Sequence, residues 1–261
     1  MSFKGKVAIV TGSSSGIGEA TALQMARGDA KVVINYSKSE DDARRVEATA
    51  KEAGAEVICV QADVSDDGAC RKLAQAALDA WGRIDILVNN AGRTKFANHA
   101  DLDALEADDF LDIYKLNVIG PYQMIRACLP AMKKQGAGAV VNVSSIAGVK
   151  GIGSSVAYAA SKGALNNMTT SLARALAPEI RVNAVCPGFV GTPWFRKTFG
   201  DEMYNTIVER VSGSVPLGKA GTPESVAETI CFLASDASAF VTGETLLVDA
   251  GLHLDPMATN R

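Results

Sequence analysis

Seven short apolar runs, separated by longer stretches with helical periodicity, constrain the fold of this 261-residue chain more than any other feature. The runs are rich in β-branched residues and have few polar interruptions, which is typical of parallel strands covered on both faces. Strands that alternate with helices predict an α/β fold, a doubly wound parallel sheet with helices on both sides. The predicted strands span residues 7–10, 31–34, 56–60, 84–88, 139–143, 181–185 and 245–248.

The stretches between these runs have the apolar spacing of amphipathic helices. They cover residues 17–27, 41–52, 66–81, 102–133, 157–177, 195–212 and 223–234. No repeat, low-complexity tract or linker interrupts the series. We therefore predict a single domain over residues 1–261.

Composition excludes several classes of function. Net charge is −3 without a basic block, which argues against a nucleic-acid or anionic-membrane partner. No apolar stretch reaches the roughly 18 residues of a membrane span, and the chain enters its first strand without a signal segment, so we expect a cytoplasmic protein. The five cysteines lack a Cys-x2-Cys pair, which favours reduced, mostly buried thiols. With His99 and His253 as the only histidines, no metal site is expected.

A glycine-rich turn follows the first predicted strand and leads into a helix. It contains Gly12, Gly16 and Gly18, a Gly-x3-Gly-x-Gly spacing that differs from the commoner Gly-x-Gly-x2-Gly fingerprint. Such a turn lets the backbone approach a diphosphate at the amino-terminal end of the helix. A simple helix-capping turn is the alternative.

Other polar motifs also lie just past predicted strands. Asp63 and Val64 follow the third strand. The Asp63 carboxylate could accept a hydrogen bond from the amino group of an adenine. The run Asn89-Asn90-Ala91-Gly92 follows the fourth, although an Asx turn would use the same residues. Ser145 follows the fifth, and Pro187, Gly188 and Thr192 follow the sixth. Open parallel sheets bind ligands at this edge, so the motifs together predict a site there.

Tyr158 and Lys162 form the candidate catalytic pair. Four residues apart on a helix, they lie on one face, about 5–6 Å apart at Cβ. A free phenol has a pKa of about 10, and a neighbouring cation favours the phenolate, which makes the phenol a usable acid and base. One Tyr-x3-Lys pair could also arise by chance, so the motifs around it carry much of the argument.

These motifs resemble the short-chain dehydrogenase/reductase family over nearly the whole chain. Within that family, the chain is similar in overall style to 3-oxoacyl-carrier-protein reductases and sugar dehydrogenases. The resemblance implies a Rossmann-type domain with strand order 3-2-1-4-5-6-7 and a nicotinamide cofactor. It implies that Ser145 holds the substrate oxygen and Tyr158 is the acid/base. Lys162 would bind the nicotinamide ribose and lower the tyrosine pKa. Thr192 would contact the carboxamide.

Two candidates have structural alternatives. Ser144 is the nearest rival of Ser145, but the family's serine lies thirteen residues before its tyrosine, which selects Ser145. The family implies that Asn117 anchors a water in a proton relay, whereas a satisfied buried amide is the alternative. The predicted cofactor contacts are Gly12, Ser14, Ser15, Gly16, Ile17, Gly18, Asn35, Ser37, Lys38, Asp63, Val64, Asn89, Ala91, Gly92, Tyr158, Lys162, Pro187, Gly188, Val190 and Thr192.

The end of the second strand bears on which nicotinamide is bound. An NAD site usually has a carboxylate there, about 20 residues past the glycines. This chain has Asn35-Tyr36-Ser37-Lys38 instead, which favours NADP(H) and leaves NAD(H) possible. Two observations weigh against NADP(H). Glu40 and Asp41 lie close by in the chain, and residue 15 is a serine, whereas many NADP-using members of the family have a basic residue at that position. Lys38 could also be an ordinary solvated charge.

The substrate is predicted to be a small-molecule or acyl-thioester carbonyl compound, reached through residues 93–99, 149–154 and 189–214. Residues 192–214 are expected to form a mobile lid, with a fixed helix as the alternative.

We expect Arg93 and Lys95 to be surface charges and His99 to make a loop hydrogen bond. The family resemblance also implies a homotetramer, in which the helices around Asn117 and Tyr158 pack against their symmetry mates. Small apolar residues suit that face, unless they pack inside the monomer: Ala164, Leu165, Leu172, Ala173 and Leu176. A silent cofactor-binding regulator is the rival to an oxidoreductase.

Overall fold

The computed structural model describes residues 1–254, except for the side chains of residues 197–199. Within them a seven-stranded parallel sheet has the order β3-β2-β1-β4-β5-β6-β7, so the predicted fold class and strand order are confirmed. The strands are β1 (Val7–Val10), β2 (Lys31–Tyr36), β3 (Val57–Gln61), β4 (Ile86–Asn89), β5 (Gly138–Val143), β6 (Ile180–Pro187) and β7 (Thr245–Val248).

Helices connect the strands and cover the sheet. They are α1 (Gly16–Arg27), α2 (Glu40–Glu52), α3 (Asp67–Trp81), α4 (Ala107–Tyr114), α5 (Gly120–Gln135), α6 (Ala147–Lys150), α7 (Val156–Leu176), α8 (Pro193–Ser214) and α9 (Pro223–Ala234). Single 3-10 turns occur at Leu102–Ala104 and Asp236–Ser238. None of the helices in the described part of the chain is both long and apolar enough to cross a membrane.

Side chains of β1 show why the strand runs are almost wholly apolar. Val7 and Ile9 belong to a core cluster shared with α3, α5 and α7, whereas Ala8 and Val10 belong to a second cluster shared with α1, α2 and α9. Successive strand residues point to opposite faces, and both faces are covered here. All four side chains are fully buried, and each larger one contributes about 1.5–3 kcal/mol.

The predicted helix over residues 102–133 is wrong as one element. The structure has a 3-10 turn, α4, a π-helical turn at Lys115–Ile119 and then α5. Apolar periodicity does not detect a π turn, because one extra residue changes the helical phase only locally. The prediction also missed α6, whose four residues are too few to establish a period.

Three of the five residues predicted to form the tetramer contact lie in the monomer's own core. Leu165, Ala173 and Leu176 are buried, so they cannot form an intersubunit surface. Leu172 packs partly against the same core. The thiol prediction is confirmed, since all five cysteines are free and four of them are buried.

Candidate active site

Two adjoining cavities lie at the carboxyl edge of the sheet. The smaller, of about 340 Å³, extends along the glycine-rich turn and the ends of β2 and β3. The larger, of about 920 Å³, lies over the ends of β5 and β6. Asn90, Arg93 and Thr192 are among the residues that line both, so the two form one cleft. The predicted cofactor residues line it except Ser14, Gly18, Lys38 and Asn89.

The glycine-rich turn is tied to the neighbouring strand and leaves its helix end open. Ser13 donates from Oγ to Val10 O at 2.8 Å and accepts from Asn35 N at 2.9 Å. Ser15 is the N-cap of α1, yet its side chain makes no capping hydrogen bond. Because the first amides of a helix lack internal partners, this end is suited to a diphosphate.

Two glycines of this turn are required by close contacts. Gly12 has a φ of 61°, and a Cβ there would lie 3.0 Å from Ala91 Cα. A Cβ at Gly18 would collide with Asn90 Nδ2 and lie 2.5 Å from Gly12 O. Gly18 is therefore a packing residue that lets α1 start close to the turn, and it does not line the cleft.

Two asparagines predicted to contact the cofactor make hydrogen bonds within the protein, although the buried Oδ1 of Asn89 has no partner among the described residues. Asn35 Oδ1 accepts from Gly12 N at 3.0 Å, and its Nδ2 donates to Ala62 O at 3.1 Å. Asn89 is buried and donates to Asn142 Oδ1 at 2.9 Å. Asn35 still borders the smaller cavity, but its side chain acts as a link between strands, and Asn89 lines neither cavity.

Asn90, which is not among the contacts predicted from the sequence, is the asparagine of this pair that reaches the cleft. Its Nδ2 donates to Thr11 O and Gly12 O, both at 3.0 Å, so it joins the loop after β4 to the glycine-rich turn. Asn89 is the last residue of β4, whereas Asn90 lies beyond it in the loop. The predicted strand ends at residue 88, which places both asparagines past it, so the sequence did not separate the two.

The end of the smaller cavity near β2 and β3 is lined by Ser37, Asp63 and Val64. Burial alone would raise the pKa of the Asp63 carboxyl, but hydrogen bonds from Ser65 and the nearby charges of Arg93 and Lys115 lower it. Asp63 is therefore an anionic acceptor at neutral pH. Lys38 is exposed and outside the lining.

Ser145 and Tyr158 meet in the wall of the larger cavity. Ser155 is the N-cap of α7, and its side chain accepts a hydrogen bond from Tyr158 N at 3.3 Å. Tyr158 therefore lies in the first turn of this helix. Burial raises the pKa of the Tyr158 phenol, while a hydrogen bond with the Ser145 hydroxyl acts in the opposite direction. Ser144 is buried and donates to Lys162 O at 3.2 Å, so the geometry favours Ser145 over its rival.

Lys162 is buried behind the tyrosine. Its Nζ donates to Val143 O at 2.8 Å and lies 5.6 Å from the centre of the Tyr158 ring. Burial lowers the pKa of this ammonium to about 8. The expected lowering of the Tyr158 pKa by Lys162 is not found, because burial of the phenol dominates and the ammonium bonds to a carbonyl.

Asn117 lies fully buried in the π-helical turn. Its Oδ1 accepts from Arg93 N at 2.9 Å, while Nδ2 donates to Arg93 O at 2.9 Å and to Ser161 Oγ at 3.1 Å. The side chain thus fixes the loop after β4 against α7. A Cβ at Gly92 would lie 3.3 Å from Asn117 Oδ1, so this glycine keeps the loop close to the amide.

The segment after β6 closes the cleft on its other side. Pro187, Gly188 and Val190 line the larger cavity. Thr192 is the N-cap of α8, and a Cβ at Gly16 would lie 3.3 Å from its methyl group, so the threonine lies against the glycine-rich turn. Aromatic rings of residues 96, 189, 194 and 195 complete this side. His99 Nε2 lies 3.2 Å from Gly153 O, which agrees with the expected loop hydrogen bond.

Comparison with known proteins identifies the family. A family model described as "Enoyl-(Acyl carrier protein) reductase" matches residues 12–253. The "Granaticin polyketide synthase putative ketoacyl reductase 2" of Streptomyces violaceoruber is 43% identical over 95% of this chain and 96% of its own length. The 3-oxoacyl-(acyl-carrier-protein) reductase of Synechocystis sp. is 39% identical over 95% of this chain and 96% of its own.

A solved structure agrees with these sequence relatives. The crystal structure of a "putative short-chain dehydrogenase/reductase" from Burkholderia xenovorans has a TM-score of 0.89 and 40% identity, and the match covers 98% of this chain and 100% of that one. The chain therefore belongs to the short-chain dehydrogenase/reductase family. It is an oxidoreductase that acts on C=O and CH–OH groups, so the resemblance inferred from the sequence is confirmed.

Proposed function

We propose that this protein reduces a ketone to a secondary alcohol with NADP(H), using Tyr158 as the general acid. The observation that carries the proposal is the meeting of Tyr158 and Ser145 in one cavity wall, next to a cradle suited to a dinucleotide. The cradle consists of the uncapped end of α1 and the close approach of Gly12 to Ala91. The residues present fit a nicotinamide dinucleotide, which supplies the hydride when bound.

Protonation of the carbonyl oxygen is the step assigned to side chains. Ser145 hydrogen-bonds the substrate oxygen, and Tyr158 gives it a proton as the alcohol forms. The raised pKa of the buried phenol keeps Tyr158 protonated at neutral pH, which suits reduction. Lys162, with a pKa of about 8, keeps most of its charge at pH 7 and binds the nicotinamide ribose. Asn117 holds the loop after β4 against α7 through its hydrogen bonds to Arg93 and Ser161.

The end of β2 supports NADP(H) over NAD(H). No carboxylate stands at residues 35–38, and Ser37 lines the cavity where the 2′-phosphate would lie. Glu40, the nearest acid along the chain, is paired with Arg44 at 3.3 Å, which reduces its repulsion of a phosphate. NAD(H) remains the alternative cofactor.

The relatives support a 3-oxoacyl thioester or a similar ketone as substrate, because two of them are named as ketoacyl or 3-oxoacyl reductases. We also propose a homotetramer and a cytoplasmic location. Exposed apolar side chains on α4, the π-helical turn, α5, α9 and the segment before β7 support assembly: Leu111, Ile119, Tyr122, Phe232 and Phe240.

Absorbance at 340 nm tests the reaction and the cofactor together. Purified protein is assayed with NADPH or NADH and a panel of ketones and 3-oxoacyl thioesters. We expect oxidation of NADPH with a higher kcat/KM than that of NADH. Ser37→Asp should reduce the use of NADPH by at least about tenfold, because like charges face each other. Ser39→Asp, exposed and outside the cavity, serves as the matched control.

Absence of turnover with every carbonyl compound would contradict the proposed reaction. A preference for NADH in the unmodified protein, unchanged in Ser37→Asp, would overturn the cofactor assignment alone.

A further inference from the structure

Four aromatic side chains line one side of the larger cavity. Phe96 comes from the loop after β4, Phe189 from the loop after β6, and Trp194 and Phe195 from the first turn of α8. The rings of Phe96 and Trp194 stack with centroids 5.4 Å apart and planes 17° apart. Phe195 stands edge-on to Trp194 at 4.9 Å and lies 5.0 Å from Phe189. We call these four residues the aromatic clasp.

The protein's own core leaves much of the clasp uncovered. Phe96 is 43% exposed and Trp194 is 44% exposed. Moving a large apolar ring out of water is favourable. Half-exposed rings at a cavity therefore offer a surface that a ligand can bury. Because the rings come from three separate segments, this surface exists only in the folded protein.

Charge in the larger cavity restricts what the clasp can meet. Among the described residues that line this cavity, the charged ones are Arg93 and Lys162, and both are cations. Ile152, Val190 and Leu252 add apolar wall. The part of a ligand beyond the reacting carbonyl should therefore be apolar and not cationic.

Ring geometry distinguishes flat ligands from other apolar ones. A flexible hydrocarbon chain gains from any apolar wall, whereas aromatic rings favour offset stacks and edge-on contacts with other flat π systems. The clasp presents both arrangements, one in the Phe96–Trp194 stack and one in the Trp194–Phe195 contact. A cavity of about 920 Å³ has room for more than one fused ring.

We propose that the substrate carries a flat, unsaturated ring system attached to its ketone, and that Phe96 and Trp194 select for it. This inference rests on the proposed carbonyl reduction. The ring system itself is unchanged in the reaction, because the hydride goes to the carbonyl carbon and the proton to its oxygen.

A matched pair of ketones tests the selection. The ketones 2-tetralone and trans-2-decalone have the same fused carbon skeleton, and the carbonyl is not conjugated with the ring in either, so they differ mainly in the aromatic ring. With NADPH we expect kcat/KM to be about threefold to tenfold higher for 2-tetralone. Phe96→Leu and Trp194→Leu should each remove most of this preference, measured as the ratio of the two kcat/KM values. Phe110→Leu, a half-buried phenylalanine of α4 outside the cavity, should keep the preference.

Binding gives a second measurement that does not require turnover. The chain has two tryptophans, so in Trp81→Phe the fluorescence reports on Trp194 alone. Titration of the NADP-bound protein should give a lower Kd for 2-tetralone than for the decalone. If no carbonyl compound is reduced but this difference in Kd is present, the proposed reaction fails and the clasp stands. Equal Kd values for the two ketones, or a preference in kcat/KM that survives both leucine variants, would overturn the role of the clasp.

Discussion

Tyr158 is half-buried in the cavity wall, where burial raises the pKa of its phenol. We expect Tyr158→Phe to keep the fold and the binding of NADPH but to lower kcat by about 10²–10⁴, because only the proton donor is removed. Initial rates at 340 nm and NADPH fluorescence measure the two quantities separately. Tyr122→Phe, an exposed tyrosine of α5, is the control. A rate near that of the unmodified protein would mean that another group delivers the proton.

Lys162 makes stability depend on pH, because a buried ammonium is costly. Its pKa falls to about 8 in the folded protein, against about 10.4 in an unfolded chain. Below pH 8 both states are protonated and the cost is fully present. Between these two pKa values the unfolded state binds more protons, so the free energy of unfolding rises with pH, by up to about 3 kcal/mol.

Urea denaturation at fixed protein concentration, between pH 7 and about pH 10, measures this rise. We expect Lys162→Met to lack it and to lose most turnover, whereas Lys133→Met, an exposed lysine of α5, should follow the unmodified protein. Parallel stability curves for the unmodified protein and Lys162→Met would show that burial of the ammonium does not set the pH dependence.

At the scale of elements, α8 is the least anchored helix of the fold. None of its described side chains is buried, and its helical backbone is interrupted at Gly200, with a φ of 77°. Tyr204 and Gly191 touch across its base, since a Cβ at Gly191 would lie 2.5 Å from the tyrosine hydroxyl. Within the predicted lid, the side chain of Phe199 lies outside the described residues.

We predict that residues 192–214 act as a mobile lid over the substrate. With few buried contacts, amides of residues 194–211 should exchange hydrogen fast in the free protein and slowly when NADPH and a ketone are bound. Hydrogen exchange followed by mass spectrometry measures this, with α7 as the protected internal reference. Protection of this segment equal to that of α7 in the free protein would support a fixed helix instead.

For the whole molecule, exposed apolar side chains support the homotetramer that the family resemblance implies. Tyr122 is 47% exposed, and Phe240 is fully exposed. Apolar patches of this kind mark interfaces, and soluble oligomers usually have closed symmetry. We expect light scattering at micromolar concentration to give the mass of a homotetramer. Tyr122→Lys and Phe240→Lys should reduce that mass, while Leu165 is unsuitable for such a test because it is buried within one subunit. A monomer at this concentration would contradict the prediction.

The role of Asn117 shows where sequence reasoning needs the fold. Both interpretations of this residue were open, a relay residue or a satisfied amide. In the structure its side chain hydrogen-bonds to Arg93 and Ser161. Its side-chain contacts are therefore those of a satisfied buried amide. The π-helical turn that orients it has no apolar signature, and its partners lie 24 and 44 residues away along the chain.

The sequence by itself determined the layered sheet, its strand order through the family resemblance, and the edge that carries the site. Those features follow from local periodicity and chain direction, because strand alternation and the polar residues just past each strand are properties of short segments. Only the tertiary structure decided that Asn90 rather than Asn89 reaches the cleft, that Lys162 bonds to Val143, and that Phe96 stacks on Trp194. Each of these depends on contacts between segments distant in the chain, and pairing across such distances is set by how the whole core packs.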